Sequence, residues 1–109
     1  MMLPPTIPIF PLPNVVLFPQ VFLPLHIFEP RYLDMVSACL RNDVPFGVLL
    51  IRRGSETGAS TTFEVGTLAR ITDWYQGSDG LLGVTAVGET RFRLQQAERR
   101  DNGLNVGEI

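Results

Sequence analysis

The chain has 109 residues, a formal net charge of −2, 45% hydrophobic and 18% charged residues, which is enough for one hydrophobic core and too little for two. All nine basic residues are arginine, so a phosphate-binding P-loop, a Ser–Lys dyad and a Schiff-base lysine are excluded. With His26 the only histidine and Cys39 the only cysteine, neither a zinc site of the usual ligand set nor an internal disulfide can be built, and we expect no metal and no cofactor.

Proline and glycine divide the chain. Every proline lies between Pro4 and Pro45, and every glycine between Gly47 and Gly107. The first half is therefore stiff and extended, and the second is rich in turns and close backbone approaches. Thr6–Leu12 and Val15–Phe18 read as short edge strands with Pro13–Asn14 turning between them, because proline cannot donate to a ladder. The apolar stretch Val15–Phe28 is broken by Pro19 and Pro24 and falls short of the ~20 residues of a spanning helix. No basic residue precedes Arg31, so a secretory signal is rejected and a cytoplasmic location without a membrane partner is the default.

Val21–Phe28 reads as extended, and a helix is expected over about residues 30–42. Pro30 suits its first turn, Glu29 faces the positive end of its dipole, and Pro45 follows its end. Leu33, Val36 and Leu40 form the expected inner seam, flanked by Tyr32, Met35 and Cys39, with Asp34, Ser37 and Arg41 outside. Phe46–Ile51 is apolar on both faces and reads as a central strand. Arg52–Thr62 is polar and reads as a loop. Phe63–Ile71 alternates as a long strand, Gln76–Gly80 is a hairpin turn, and Leu82, Val84, Ala86, Phe92 and Leu94 share one parity opposite Arg91, Arg93 and Gln95. Asp101–Asn102–Gly103 signals a further hairpin into a strand from Leu104. Gly66, Gly83 and Gly88 inside strand patterns favour bulges or bends, and hence a curled sheet rather than a flat one. The chain stops at Gly107–Glu108–Ile109, directly after a hairpin signal; we read residues 1–109 as a single domain and as a fragment of something longer.

The strings IFPLPNVVLFPQVFLPLHIFEPRYLDMV (residues 9–36), FEVGTLARI (63–71) and VGETRFRL (87–94) resemble the N-terminal domain of the Lon protease family, and most of all the stand-alone Lon-domain proteins of bacteria. The resemblance implies a mainly β (α+β) fold, a PUA-like curved-sheet pseudo-barrel of about six strands with one packed amphipathic helix. It also implies a domain that recognises protein substrates or partners and has no catalytic residues of its own. The family's ATP-binding lysine and Ser–Lys dyad have no counterpart in these residues.

Candidate sites divide accordingly. His26 lacks a carboxylate or nucleophile at motif spacing and reads as a strand residue. Cys39, near the negative end of the helix dipole, reads as packing rather than a reactive thiol. Glu29 and Arg31, beside Phe28 and Tyr32, read as an ion pair fixing the strand-to-helix corner, with a partner-contact surface as the alternative. Trp74 and Tyr75, before the QGSDG turn, read as a binding patch or as a barrel cap. Arg91, Arg93, Arg99 and Arg100 would suit a nucleic-acid-binding PUA-like module, but Glu89, Glu98 and Asp101 interrupt them and the net charge is negative, so a solvated strand face is preferred. The reading is a non-catalytic protein-interaction domain for exposed apolar segments of unfolded or damaged polypeptides, its candidate contacts being Phe28, Glu29, Arg31, Tyr32, Trp74 and Tyr75. Nucleic acid is a disfavoured partner, and self-association is left open.

Overall fold

The computed structural model of the chain describes residues 6–13, 16–53, 61–62, 65–77 and 81–109. Its elements in chain order are β1 (Thr6–Pro13), β2 (Phe22–Ile27), α1 (Pro30–Asn42), β3 (Phe46–Arg53), β4 (Thr61–Thr62), β5 (Val65–Gln76), β6 (Leu82–Arg93), β7 (Gln96–Arg99) and β8 (Asn105–Glu108). Seven strands run in the order β2-β6-β5-β3-β1-β8-β7, and β4 pairs with β3 beside this path. β1 and β3 are parallel, and the other pairs are antiparallel.

A short link forces the sheet to curl. Only Leu94 and Gln95 separate β6 from β7, a span of at most ~10 Å, yet β6 and β7 stand second and seventh in strand order. In a flat sheet those positions would be ~24 Å apart. The Gln95 N–H donates to the Glu108 carbonyl at 2.7 Å, starting the β7–β8 ladder as the chain leaves β6. The sheet rolls up without closing and leaves β1 and β3 covered on both faces. Phe10, Leu12, Phe46 and Val48 join the core under α1. Ile7, Ile9, Leu49, Leu68 and Phe92 form a second core on the other face, with Leu94 and Ile109 packed against it. The fold is the mainly β pseudo-barrel with one helix that the resemblance implies. It has eight strands rather than about six, because β4 and β7 are too short and too polar to signal themselves in sequence.

α1 begins with Pro30 in its first turn, after Glu29 in extended conformation (φ −80, ψ 135), and ends at Asp43 in the left-handed region (φ 52), whose N–H bonds the Cys39 carbonyl. Its inner face is Arg31, Tyr32, Met35, Val36 and Cys39. The expected Leu33–Val36–Leu40 seam is therefore rotated, and Leu33 and Leu40 are exposed. The spacing 32, 35, 36, 39 is an equally good helical stripe. It turns the large Tyr32 onto Phe10, with ring centroids 4.4 Å apart, where a single buried aromatic contributes about 1.5–3 kcal/mol.

Two strand expectations are corrected. β1 is an interior strand, not an edge. Its two ladders are staggered: β8 pairs Thr6–Ile9 and β3 pairs Ile9–Pro13. Pro8, Pro11 and Pro13 each therefore have one strand neighbour only, and a missing N–H is tolerated on an unpaired side. Val16–Phe18 is not a strand; it crosses β6, with the Gln20 N–H donating to the Gly88 carbonyl (2.7 Å) and the Gly88 N–H to the Val21 carbonyl (2.9 Å). The expected Pro13–Asn14 turn, most of the Arg52–Thr62 loop and the start of the Phe63–Ile71 strand lie outside the described residues, although β3 and β4 take the loop's two ends. One bulge sits in β6, directly after Gly88, where residues 88–91 face residues 67–69, as expected there; the other sits in β5 between Ile71 and Asp73, and Gly66 and Gly83 are instead sites of close approach.

Candidate functional site

The strand-to-helix corner is built around a buried arginine. Arg31 is 9% exposed. Its Nη2 lies 3.1 Å from the Glu29 carboxylate, its Nη1 donates to the Gly103 carbonyl at 2.9 Å, and its guanidinium sits 4.8 Å from the Tyr32 ring centre. Gly103 adopts φ 92 in the β7–β8 turn, a conformation that favours glycine, so the turn brings its carbonyl to α1. Helix start and hairpin turn are thus clamped by one side chain. An open groove of about 680 Å³ lies between them, lined by residues of both signs that include Asp34, Arg99 and Asp101. Tyr32 is 3% exposed and belongs to the core.

Phe28, Trp74 and Tyr75 are placed differently. Phe28 follows β2 directly and is 66% exposed; Trp74 and Tyr75 are 58% and 51% exposed near the end of β5. Register brings them to the same end of three adjacent strands. His26 pairs with Gly83 and Gly83 with Tyr75; Leu25 pairs with Val84 and Val84 with Trp74. The Gly77 N–H bonds the Leu81 carbonyl at 2.9 Å and closes the hairpin, which sets the exposed Leu81 at the same end. Consecutive strand residues face opposite ways, so Tyr75 lies on the outer face and Trp74 on the rim of the inner one. The Tyr75 ring covers Gly83, where any Cβ would collide with it. His26 is exposed on this outer face.

A second apolar group was not singled out from sequence. Val16, Phe18, Val21, Phe22 and Val65 are all exposed. Leu17, between the first two, is buried, and its carbonyl accepts a 2.7 Å bond from the buried Thr67 hydroxyl. That anchor and the Gly88 pairing fix the segment so that its alternate side chains project outward. Arg91 lies over the Phe18 ring at 5.3 Å. The available signal was the absence of any charged residue before Glu29, which leaves this stretch without the charges that usually guard exposed edges. Cys39 is buried, and desolvation raises its thiol pKa to about 11. Among the described residues no group of three or more His, Cys, Asp or Glu side chains could hold a metal ion, and no helix is long and apolar enough to cross a membrane.

The family model for the ATP-dependent protease La (LON) substrate-binding domain matches residues 6–109. A Lon protease from Cytophaga hutchinsonii is 30% identical over 95 residues, covering 85% of this chain and 12% of the relative. A crystal structure of a Lon N-terminal domain protein from Xanthomonas campestris superposes with a TM-score of 0.83 at 44% identity, covering 94% of this chain and 57% of that one. The N-terminal domain of a Mycobacterium avium complex Lon protease shares the fold, with a TM-score of 0.66 at 14% identity over 94% of this chain and 52% of that one. The chain thus spans only a small part of the full-length protease it matches, and the part matched is the substrate-binding one, not the catalytic one.

Proposed function

Because the chain belongs to the family of Lon substrate-binding domains, we propose that it holds exposed apolar segments of unfolded or damaged polypeptides, in the cytoplasm, and performs no chemistry of its own. The observation that carries this reading is the group of Phe28, Leu81, Trp74 and Tyr75, four large side chains exposed at one end of three adjacent strands. Large aromatics that remain in water on an ordered scaffold are the residues that anchor interfaces. Glu29, Arg31 and Tyr32 serve this group indirectly: they fix the corner from which Phe28 projects.

The physics of such capture is simple. Covering apolar surface returns about 25 cal/mol per Å², so an aromatic side chain presenting on the order of 100 Å² supplies roughly 2–3 kcal/mol before association costs are subtracted. A few such contacts give weak binding that tolerates many sequences, and repetition across linked copies strengthens it. A permanently unfolded, reduced and carboxymethylated protein is the suitable titrant. The expected result is micromolar-range binding that Trp74→Ala and Phe28→Ser each weaken about tenfold, with the melting temperature unchanged because both side chains are exposed. No binding at high micromolar concentration by protein shown to be folded would overturn the reading.

A further inference from the structure

The polypeptide-binding reading leaves open which segments are preferred, and the second apolar group bears on that. Val16, Phe18 and Val65 are exposed around Arg91: Val16 and Val65 line one small hollow with it, and its guanidinium lies over the Phe18 ring at 5.3 Å. Arg91 is itself exposed, and among the described residues no carboxylate pairs with it. Other arginines are engaged: Arg31 by Glu29, Arg70 by Asp43 and Glu89, and Arg100 by Glu98. The acid nearest to Arg91 along β6, Glu89, is the one held by Arg70 at 3.2 Å. Residues 16–22 and 65–69 carry no charge, and residues 91–93 carry only Arg91 and Arg93. In a chain of net charge −2 this face is locally cationic and apolar together.

We propose that this face is a second docking site, that its occupant is an apolar polypeptide segment carrying carboxylates, and that Arg91 determines the preference. A guanidinium drawn to an aromatic ring still has N–H groups to donate, and its fork of donors matches a carboxylate in bidentate fashion. Phe18 orients the donor, and Val16 and Val65 cover the neighbouring apolar side chains of the segment. The short cationic stretch favours a peptide over a nucleic acid, whose successive phosphates would need a longer track.

The site rests on the polypeptide-binding reading, and the test separates the two. Three fluorescent peptides of one unstructured Leu/Phe/Ser framework carry three Asp, three Asn or three Lys, and each is titrated by anisotropy into the protein and into its Arg91→Gln, Arg91→Glu and Arg100→Gln variants. The expected order for the unaltered protein is Asp tighter than Asn by roughly three- to tenfold, and Lys weakest. Arg91→Gln removes the Asp-over-Asn ratio, Arg91→Glu reverses it in favour of Lys, and Arg100→Gln leaves it in place. Equal binding of all three peptides, or a ratio indifferent to Arg91, overturns this site and leaves the general reading standing. Failure of all three to bind overturns both. Displacement of the Asp peptide by single-stranded polyuridylate would assign Arg91 to phosphate and likewise overturn the proposal.

Discussion

Arg31 and Cys39 occupy the same face of α1 and solve burial in opposite ways. Arg31 is met by a carboxylate, a backbone carbonyl and an aromatic face. Cys39 has no such partners, and desolvation raises its pKa from 9.0 to about 11. An unfolded chain would release the thiol proton near pH 9 while the folded one retains it, so folding stability is full below about pH 9 and is lost as the pH rises through about 11. The expected slope is at most about 1.4 kcal/mol per pH unit. Urea midpoints measured between about pH 8 and about pH 11 should fall more steeply for the protein than for Cys39→Ala, whose starting stability is lower because of the cavity. Identical pH profiles would show that the thiol titrates as it does in water. The same burial makes Cys39 inert to alkylating reagents until the fold opens, in keeping with its sequence reading as packing.

At the scale of elements, β6 carries two glycines whose backbones meet very different neighbours. At Gly83 an added Cβ meets only the ring of the exposed Tyr75, which can swing outward. At Gly88 it meets the Phe18 carbonyl, part of a segment pinned by the Gln20–Gly88 and Gly88–Val21 bonds. Gly83→Ala should therefore leave stability within about 0.5 kcal/mol while displacing Tyr75. Gly88→Ala should cost about 1–3 kcal/mol and detach the Val16–Phe22 segment, with loss of the Arg91–Phe18 contact. Urea melts with backbone amide shifts of residues 16–22 read both effects, and equal costs for the two variants would contradict the assignment. From sequence both glycines mark a bulge or a bend, but the neighbour each one meets lies far along the chain and is not legible there. What was legible were elements with strong local signals: the helix bounded by Pro30 and Pro45, the doubly apolar β3, and the Asp101–Gly103 turn. What was not legible depended on partners far along the chain. The helical stripe could start at Tyr32 or Leu33 on spacing alone, and only the position of Phe10 decides between them. The prolines of β1 spoke for an edge, and only the staggered ladders reconcile them with an interior place.

For the molecule as a whole, the curl of the sheet produces the second core, and no local pattern announces it. β7, Gln96–Arg99, is exposed at every residue and forms a strand because β8 offers it an edge. The candidate aromatics Phe28, Trp74 and Tyr75 were recognisable by size, whereas Val16, Val21 and Phe22 read as ordinary strand residues until the segment's path left them in water. Phe92 is the side chain on which the curl turns. It is 8% exposed and packs with Ile7, Ile9, Leu49 and Leu68. Its ring tip lies 2.7 Å from where a Cβ would stand at Gly47 and again at Gly66, so it rests directly on two bare stretches of backbone. Backbone in a paired sheet cannot collapse into a void as side chains can, and the cavity left by Phe92→Ala should persist. The expected cost is about 3–5 kcal/mol, a large share of the ~5–15 kcal/mol that holds a domain of this size. Phe92→Leu, which fills most of the space, should recover more than half of it. Hydrogen exchange on the Leu variant locates the loss: amides of β1 and β8, clamped by the second core, should exchange faster while those of α1 retain their protection. Uniform acceleration across α1 and β8 would mean that the two cores open as one, and that the β6–β7 link rather than the Phe92 ring holds the sheet in its rolled form.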